Sequence, residues 1–565
     1  MNVSRRDLLT LLAIAASAGL APRSLEGADG PARLLSFESL GNVTLLHITD
    51  THATLRPVFY REPDAVIGIG AERGRPPFLT GAELLRAYHV APGTVEAYAY
   101  TYLDFPALAA RYGRMGGYAH LATLVQRIRS ERAGRTLLLD GGDTIQGSAT
   151  ALWSRGEDMV RVSNQLGVEV FTPHWEFVYG LDRVKELFGD RESKGLFAGD
   201  FIAHNVSEIG WGERPFHPYS IREVGGARVG VIGQAFPYTP VSHPRRFVPD
   251  LTFGIRDDGV QALVNELRDD KKVDLVVLLS HNGVSVDLKL ASRVHGLDVI
   301  LGGHTHDALA QPILVGRTLV VNSGSHGKFL SRLDLDVRRG RVTAHRYRLI
   351  PVLAQELAPD PDMAQVIDEI RRPHEEKLAE KLAVSESLLY RRGNFNGTFD
   401  EVILDSLMLG GDAQIAFSPG FRWGITIVPG QEITLEDVYA HTAVTYPNTW
   451  VREMTGSEIH AVMEDVADNL FHPDPYYRQG GDMVRVGGLT YTIEPSKRVG
   501  QRIRDVRVAG RSLELTRRYK ATGWASLTEV DGPPAWDVVA AHLRSVGRIR
   551  LSPRARVRVV GAKAT

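Results

Sequence analysis

The chain of 565 residues contains no cysteine. That absence excludes disulfide bonds, a thiol nucleophile, thiolate metal ligands and an iron–sulfur cluster. Histidine and carboxylate side chains remain as the candidate metal ligands, and any sulfur chemistry would have to take place on a substrate.

The sequence also lacks an excess of charge of one sign and a long hydrophobic run. The formal net charge is −1 and there is no strong basic block, which argues against nucleic acid as a partner. The apolar run over 8–20 is shorter than the roughly 20 residues needed to cross a bilayer. It overlaps SRRDLL at 4–9, a twin-arginine pattern. We therefore predict a twin-arginine signal peptide over 1–29 rather than a membrane anchor, and a periplasmic, monomeric protein without membrane insertion.

A chain of this length can bury a large core and should form two or more domains. Between residues 40 and 350, apolar runs typical of strands alternate with helical patterns. The predicted strands are 43–48, 136–140, 229–233, 273–280 and 299–301, and the predicted helices are 117–132 and 258–269. This alternation predicts an α/β fold with its ligands at the carboxyl ends of the strands.

Changes in composition mark the predicted domains. A catalytic domain over 40–355 is interrupted at 53–115 by an element rich in Pro, Gly, Tyr and Arg, which we expect to shape access to the site. The charged stretch 362–382 predicts a solvent-exposed linker helix broken near Pro373; the alternative is a surface helix of the first domain. Short strands, Gly-rich turns and a helix at 458–469 predict a smaller α+β domain over 384–565.

Four apolar segments run directly into residues of the types that bind metals. LLHITDTH ends at Asp50 and His52, LLLDGGD at Asp143, VVLLSH at His281, and VILGGHTH at His304 and His306. A single histidine among the 19 in the chain would not by itself indicate a metal ligand. Together these residues exceed what one metal ion needs and favour a hydrolase with two metals.

The spacing suggests how the ligands are shared. Side chains two apart on a strand point to one face, so Asp50 and His52 should reach one ion. The glycine turn before His304 and His306 decides whether that pair binds one ion or two. A carboxylate such as Asp143 can bridge metals about 3.5–4 Å apart, a separation that suits in-line displacement.

The order D-x-H, G-D-x-x-x-G, S-H-N and G-H-x-H resembles the metallophosphatase domain of the 5′-nucleotidase family. SPGFRWG at 418–424 resembles that family's N-G-G-x-R turn, and GGDMVRVGGLTYTIEP resembles its S-G-L-x-Y-T stretch. The resemblance implies a four-layer αββα sandwich with a di-metal site, followed by a smaller α+β domain that supplies the substrate pocket.

One segment departs from the family pattern. The family carries G-N-H-E-F-D, in which the Asn is a metal ligand and the His and Asp form an acid–base dyad. Here the stretch reads PHWEFVYG, so His174 stands at the ligand position, Trp175 replaces the dyad His and Val178 replaces the Asp. An indole cannot exchange protons in catalysis. A site without this dyad would be poorly suited to hydrolysing a phosphoester with a basic leaving group.

PHWEFVYG and the twin-arginine leader resemble the thiosulfohydrolase family of the Sox sulfur-oxidation pathway. The resemblance implies that a di-metal-activated hydroxide cleaves the S–S bond of a cysteine S-thiosulfonate and releases sulfate. The substrate would be carried on the C-terminal cysteine arm of the carrier protein SoxYZ. A departing sulfur anion is far less basic than an alkoxide and needs no general acid.

The resemblance also implies the ligand assignment. One ion would take Asp50, His52 and His306, the other would take His174, His281 and His304, and Asp143 would bridge them. It implies two manganese ions, while the ligand types suit zinc as well.

Three further residues are candidates for contact with the substrate. Trp175 would form a dry wall, and Arg422 could bind the anionic group, because a guanidinium fork matches an oxyanion. Asn394 matches a family stretch that approaches the ligand.

Two alternatives remain. A periplasmic 5′-nucleotidase or phosphodiesterase would need a working dyad and aromatic side chains that sandwich a base, for which Phe395, Phe421, Trp423 and Tyr491 are available. A non-catalytic module would use the metals only to bind an anion.

Overall fold

The computed structural model describes residues 32–210 and 212–561. The predicted signal peptide at 1–29 lies outside these residues. Residues up to Ser36 are a unit separate from Phe37–Thr565, and the described part of that first unit contains the helix Ala32–Leu35. No helix in the described ranges is long and apolar enough to cross a membrane.

Two six-stranded sheets form the centre of the first domain. In spatial order, the first sheet contains Arg341–Pro351, Phe329–Arg338, Val43–Ile48, Thr136–Asp140, Val170–Phe171 and Asp200–Phe201. The second contains Ile313–Val315, Thr318–Asn322, Val299–Gly302, Leu275–Ser280, Ala227–Gln234 and Tyr219–Val224. Ser207–Glu208 and Leu251–Thr252 form a separate small pair. The central strands are parallel and buried, which explains their nearly unbroken apolar sequences.

The two sheets pack face to face. Val43 and Leu45 of the first sheet share one core with Val229, Val277 and Val299 of the second. Helices Asp257–Asn265 and Val284–Arg293 cover the outer face of the second sheet through a further core. The predicted four-layer αββα sandwich is therefore confirmed.

The other helices of the first domain surround this sandwich. They are Gly81–Ala87, Val95–Tyr100, Phe105–Tyr112, Tyr118–Glu131, Ala149–Ser154, Glu157–Leu166, Leu181–Phe188, Thr239–Ser242, Pro361–Arg371 and Glu375–Leu378. Short 3₁₀ turns are formed by Gly70–Glu72, Trp175–Tyr179, Arg245–Phe247 and Arg372–His374, and Glu266–Asp270 forms a π turn.

The predicted linker helix is amphipathic rather than solvent-exposed. Helix Pro361–Arg371 buries Met363 and Ile367 and packs against Tyr118–Glu131 and Glu157–Leu166. It therefore fits the alternative, a surface helix of the first domain. The helix ends just before Pro373, as predicted, because proline cannot supply the next helical hydrogen bond.

The second domain is α+β. Its sheets are, in spatial order, Glu432–Thr434, Lys381–Ser385 and Arg548–Ile549; Thr449–Thr455, Arg518–Trp524, Ile415–Ser418 and Arg485–Gly487; and Arg511–Ser512, Ile503–Val508, Leu489–Ile493 and Val557–Val559. Its helices are Thr398–Gly411, Leu435–Thr442, Gly456–Phe471 and Ala535–Val546, with a 3₁₀ turn at Pro475–Tyr477.

The two domains share a hydrophobic core. Trp175 and Val178 of the first domain belong to the same buried cluster as Phe399, Trp423 and Val444 of the second. The inserted element adds backbone hydrogen bonds between the domains: Thr426 N donates to Phe59 O at 2.8 Å and Asn394 N donates to Ala65 O at 2.9 Å. The inserted element therefore fastens one domain to the other.

Candidate metal centre

The first two predicted ligands follow the strand Val43–Ile48 but do not belong to it. Asp50 and His52 have φ of 52° and 45°, in the left-handed region. The explanation from strand alternation was therefore wrong, although both side chains do reach one place. Their loop is bonded to the next one: Asp50 N donates to Gly142 O at 2.8 Å and His52 N donates to Asp143 O at 2.9 Å. These bonds hold Asp50 and His52 beside Asp143.

The loop after strand Val299–Gly302 carries His304 and His306, whose φ values are 73° and 58°. Its backbone is anchored where His304 N donates to the carboxylate of Asp50 at 3.1 Å. The turn directs the two imidazoles to different places. His304 and His306 therefore belong to two different groups of ligands, which answers whether the pair binds one ion or two.

The seven predicted ligands form two buried groups that share one carboxylate. In each group the candidate ligand atoms lie within 4.8 Å of one another. We call the group of Asp50, His52, Asp143 and His306 site 1, and the group of Asp143, His174, His281 and His304 site 2. This is the division that the family resemblance implied, with Asp143 common to both.

Short distances between ligand atoms define each site. In site 1, His306 Nε2 lies 3.2 Å from Asp50 Oδ1 and 3.1 Å from His52 Nε2. In site 2, His281 Nε2 lies 3.1 Å from Asp143 Oδ2 and 3.1 Å from His174 Nδ1. Nitrogen and oxygen lone pairs that converge this closely in a dry interior repel unless a proton or cation lies between them.

The hydrogen bonds of the outer ring nitrogens fit metal binding. His281 Nδ1 donates to Gly141 O at 2.6 Å, and His52 Nδ1 donates to Gln146 O at 3.2 Å. A carbonyl only accepts, so Nδ1 carries a proton in both residues and Nε2 is the ring nitrogen that remains to bind a cation. The donor set, the burial and the tautomers therefore fit two cations held by imidazole and carboxylate groups.

Without cations the cluster retains protons. Burial tends to lower the pKa of His281, but the carboxylates of Asp143 and Asp50 raise it to about 10. Burial raises the pKa of Asp50 to about 7, whereas it lowers that of His174 to about 4. At neutral pH the imidazolium of His281 thus occupies the charge position that a metal ion would take.

Trp175 takes part in the site in two ways. Its backbone N–H donates to Asp143 Oδ1 at 2.8 Å, a contact that the sequence did not indicate. Its ring packs edge-on against Trp423 at 5.1 Å and Phe421 at 5.5 Å between centroids. The indole thereby forms an apolar wall of the cavity over the metal sites, while Val178 is buried in the shared core.

His243 is an imidazole beside the metal cluster that no sequence pattern singled out. Its ring stacks on that of His174, with centroids 5.2 Å apart, and lies 4.6 Å from that of Trp175. Burial holds the pKa of His243 well below its usual value, so the ring is neutral. Both ring nitrogens lack a partner in the described part of the chain, and the ring does not line the cavity over the metals.

Glu176 is a second residue that the sequence analysis missed. Its carboxylate accepts hydrogen bonds from His174 N at 2.7 Å and Thr144 N at 2.9 Å. It thus joins the loop of Asp143 to the turn of His174. The PHWEF pattern contained this residue, but nothing in the pattern distinguished a buried acceptor from a surface carboxylate.

Arg422 lines the cavity of about 210 Å³ that lies over both metal sites, together with His174, His304 and Trp175. Its guanidinium also donates to His304 O at 3.4 Å and to Gly481 O. Arg422 thus lies where its guanidinium could meet an anionic group, although part of its hydrogen-bonding capacity is used within the protein.

Asn394 does not line this cavity. Its side-chain oxygen accepts from Ile67 N at 2.7 Å, and its amide nitrogen donates to Asp482 Oδ1 at 3.1 Å. Both ends of the side chain are thus used to join the inserted element to the second domain. The expected contact of Asn394 with the ligand is not supported, because the side chain acts as an interdomain brace.

The inserted element lies beside the site and does not cover it. Among the described residues that line the 210 Å³ cavity, none comes from 53–115. Pro57 and Phe59 line a separate cleft of about 390 Å³ that extends to His52. Glu62 and Pro63 of the same element line a further small cavity that includes His306, so the element reaches the metal ligands from the side and not through the 210 Å³ cavity.

Comparisons with known proteins agree with this architecture. Residues 43–308 match the calcineurin-like phosphoesterase family, and residues 383–532 match the 5′-nucleotidase C-terminal domain. The trifunctional nucleotide phosphoesterase YfkN of Bacillus subtilis is 26% identical over 311 residues, which are 52% of this chain and 20% of that protein. The protein UshA of Yersinia enterocolitica is 24% identical over 490 residues, 76% of this chain and 84% of UshA. The chain is a hydrolase of the metallophosphatase and 5′-nucleotidase superfamily.

A more specific match comes from a solved structure. The sulfate thiohydrolase SoxB of Thermus thermophilus superposes with a TM-score of 0.89 at 38% identity, covering 94% of this chain and 99% of that one. The chain belongs to the SoxB family.

Proposed function

We propose that this protein hydrolyses the terminal S–S bond of a cysteine S-thiosulfonate on the carrier SoxYZ and releases sulfate. One observation carries the proposal. Both metal-ligand groups are complete, yet Trp175 and Val178 stand where a phosphatase needs its acid–base dyad. The similarity to SoxB of Thermus thermophilus supports the same substrate class.

The proposed step balances without a redox partner. Water supplies one oxygen to the terminal –SO₃⁻ group, the S–S bonding pair leaves with the carrier sulfur as a persulfide anion, and two protons pass to solvent. A persulfide is a weak enough base to depart unprotonated. A neutral His243 away from the cavity is consistent with a step that needs no proton donor.

The side chains that would hold the cations are those of site 1 and site 2. When bound, two cations would lower the pKa of a coordinated water and would neutralise charge on the sulfonate oxygens. We propose manganese, with zinc as the alternative that the same ligands allow. The aromatic wall excludes bulk water, which strengthens the attraction between the anion and Arg422.

The arrangement of the aromatic side chains does not support the nucleotidase alternative. Phe421 and Trp423 stack on each other with centroids 4.0 Å apart, so no base fits between them as they stand. Tyr491 is buried in a core of the second domain, and Phe395 packs against that core. None of these four residues forms an open sandwich within the described structure.

The proposed location is the periplasm. It rests on the twin-arginine pattern at 4–9 and on the pairing with an exported carrier. A thiosulfonated carrier would present its cysteine arm to the cavity lined by Phe421 and Trp423.

A parallel assay tests the function. The Mn²⁺-loaded protein is incubated with thiosulfonated carrier and, separately, with AMP, and the released sulfate and phosphate are measured. We expect sulfate from the carrier and no phosphate from AMP above the metal-free control. Phosphate without sulfate would support a nucleotidase, and neither product would support an anion-binding module.

A further inference from the structure

The second domain reaches the metal centre through residues 472–482, which we call the strap. Lys289 Nζ of the first domain lies 2.5 Å from Asp474 Oδ1, and Tyr476 Oη donates to Asp257 Oδ2 at 3.1 Å. Farther along, the guanidinium of Arg478 pairs with Glu72 of the inserted element. The strap is therefore fixed to the first domain on both sides of the turn Pro475–Tyr477.

The next residue of the strap contacts a metal ligand directly. His304 Nε2 donates to Gln479 O at 3.0 Å. Since a carbonyl only accepts, the proton of the neutral imidazole is on Nε2 and the lone pair is on Nδ1. The strap thus selects the tautomer in which Nδ1 of His304 is the nitrogen able to bind a cation in site 2.

The origin of this hydrogen bond distinguishes His304 from two other ligands. The corresponding partners of His281 and His52 are Gly141 O and Gln146 O, both in the first domain. His304 takes its partner from the second domain. Such outer partners orient a ligand and commonly change metal affinity by about 10–100-fold when lost.

Gly480 allows the strap to approach this closely. Its φ is +75°, and a Cβ at this position would lie 2.3 Å from His304 Nε2. Gly481 also has φ of +75°, but its Cβ would meet only Gly420 O at 3.6 Å. The two neighbours therefore share the same backbone conformation and differ in their clearance from the imidazole.

Two arginines of the second domain hold the backbone of the same ligand loop. Arg392 donates to Thr305 O at 3.0 Å and to His306 O at 3.5 Å. Arg422 donates to His304 O at 3.4 Å. The backbone carbonyls of His304, Thr305 and His306, which connect the two metal sites, thus all accept hydrogen bonds from the second domain.

We propose that the second domain completes the metal centre: the strap positions His304, so that site 2 binds its cation tightly only while the two domains are closed together. Gln479, Gly480 and Arg392 are positioning residues, because they act through His304 and its loop. The proposal rests on the two-metal centre of the proposed function but not on its substrate.

Metal binding by Gly480→Ala and Gly481→Ala tests this proposal. Mn²⁺ content is measured by equilibrium dialysis, and coupling between the ions by electron paramagnetic resonance. We expect two coupled ions in the wild type and in Gly481→Ala. In Gly480→Ala we expect at least about tenfold weaker binding at site 2 and the spectrum of an isolated ion. Equal binding of two ions by both variants, or equal loss from both, overturns the proposal.

A second variant keeps the test decisive if Gly480→Ala does not fold. Lys289→Met removes the ion pair between Lys289 and Asp474, neither of which is a metal ligand, and we expect weaker Mn²⁺ binding at site 2 with site 1 unchanged. Unchanged binding at both sites overturns the proposal. If the wild type binds fewer than two ions, the dinuclear basis of the proposed function is lost. If it binds two ions but releases no sulfate, only the proposed substrate is contradicted.

Discussion

Asp50, His52, Asp143, His304 and His306 all have a left-handed backbone. For residues other than glycine this conformation costs about 1–2 kcal/mol each, although Asp and His tolerate it better than most. Strain of this kind is common where side chains must converge on a ligand. The sequence showed which residues these were and in what order, but not their backbone conformation, because it depends on bonds between loops that are distant in the chain.

The protons that these ligands would carry in metal-free protein lead to a prediction about pH. In the metal-free protein the pKa of His281 is raised to about 10 and that of Asp50 to about 7. A cation must displace the proton of His281 at pH 7 and, below pH 7, that of Asp50 as well. We therefore expect Mn²⁺ affinity to rise with pH. Calorimetry in two buffers of different ionisation enthalpy should detect about one proton released per chain at pH 7.5, and no release would contradict this account.

His243 provides a test of the claim that no proton donor is needed. Substitution His243→Gln removes the only imidazole that touches both His174 and Trp175 in the described ring contacts. Because the sulfur anion of the proposed step would depart unprotonated, we expect sulfate release to fall by far less than the ~10²–10⁴-fold typical of a lost general acid. Rates are compared at saturating carrier and equal metal content. A loss within that range would identify His243 as the acid and contradict the proposed mechanism.

At the scale of elements, the ligand loops depend on glycines at the strand ends. Gly142 has φ of +93°, and a Cβ there would lie 2.4 Å from Thr172 O and 3.2 Å from His281 Nδ1. Gly340, in the turn after strand Phe329–Arg338, has φ of +70° and open space around its Cβ position. Alanine substitutions at these two glycines therefore separate the free-energy cost of the backbone conformation from the cost of crowding the site.

We expect Gly340→Ala to lower the free energy of unfolding by about 1–2 kcal/mol, the cost of the backbone conformation alone. Gly142→Ala should lower it further and should also reduce bound Mn²⁺, because the methyl group displaces Thr172 or His281. Urea unfolding and metal analysis measure both effects. Equal destabilisation by the two substitutions, with full metal content in both, would contradict the role of Gly142.

Much of the secondary structure of the first domain could be predicted from apolar runs in the sequence. The strands at 43–48 and 136–140 lie where the apolar runs placed them, since buried parallel strands leave an unbroken apolar signature. The exposure of 362–382 was not predictable, because a charged helix can still bury one face. The role of Asn394 and the contact of the strap with His304 depend on how distant segments meet, which periodicity does not encode.

At the scale of the whole molecule, the two domains share one hydrophobic core. Trp175 from the first domain and Trp423 from the second lie in the same buried cluster. Polar contacts add to it: Gln146 Nε2 donates to Ala443 O at 2.7 Å, and Thr445 Oγ1 donates to Val178 O at 2.9 Å. Separating the domains would expose this cluster to water, which opposes a wide swing of the second domain.

This shared core predicts cooperative unfolding. We expect a single calorimetric transition for the metal-free protein, since neither domain can keep its part of the core without the other. Lys289→Met should move that transition to a lower temperature without splitting it. Two well-separated transitions would show that the domains unfold independently and would contradict the interdomain core as a stabilising unit.

The proposed hydrolysis of the sulfur–sulfur bond of a carrier-bound thiosulfonate at a dinuclear centre determines where the oxygen atoms of the product come from. Its most direct test is a single turnover in ¹⁸O-labelled water, followed by mass spectrometry of both products. Hydrolysis of this bond predicts a carrier that retains a persulfide and a sulfate that contains one labelled oxygen from solvent. An unchanged carrier, or sulfate without the label, would contradict it.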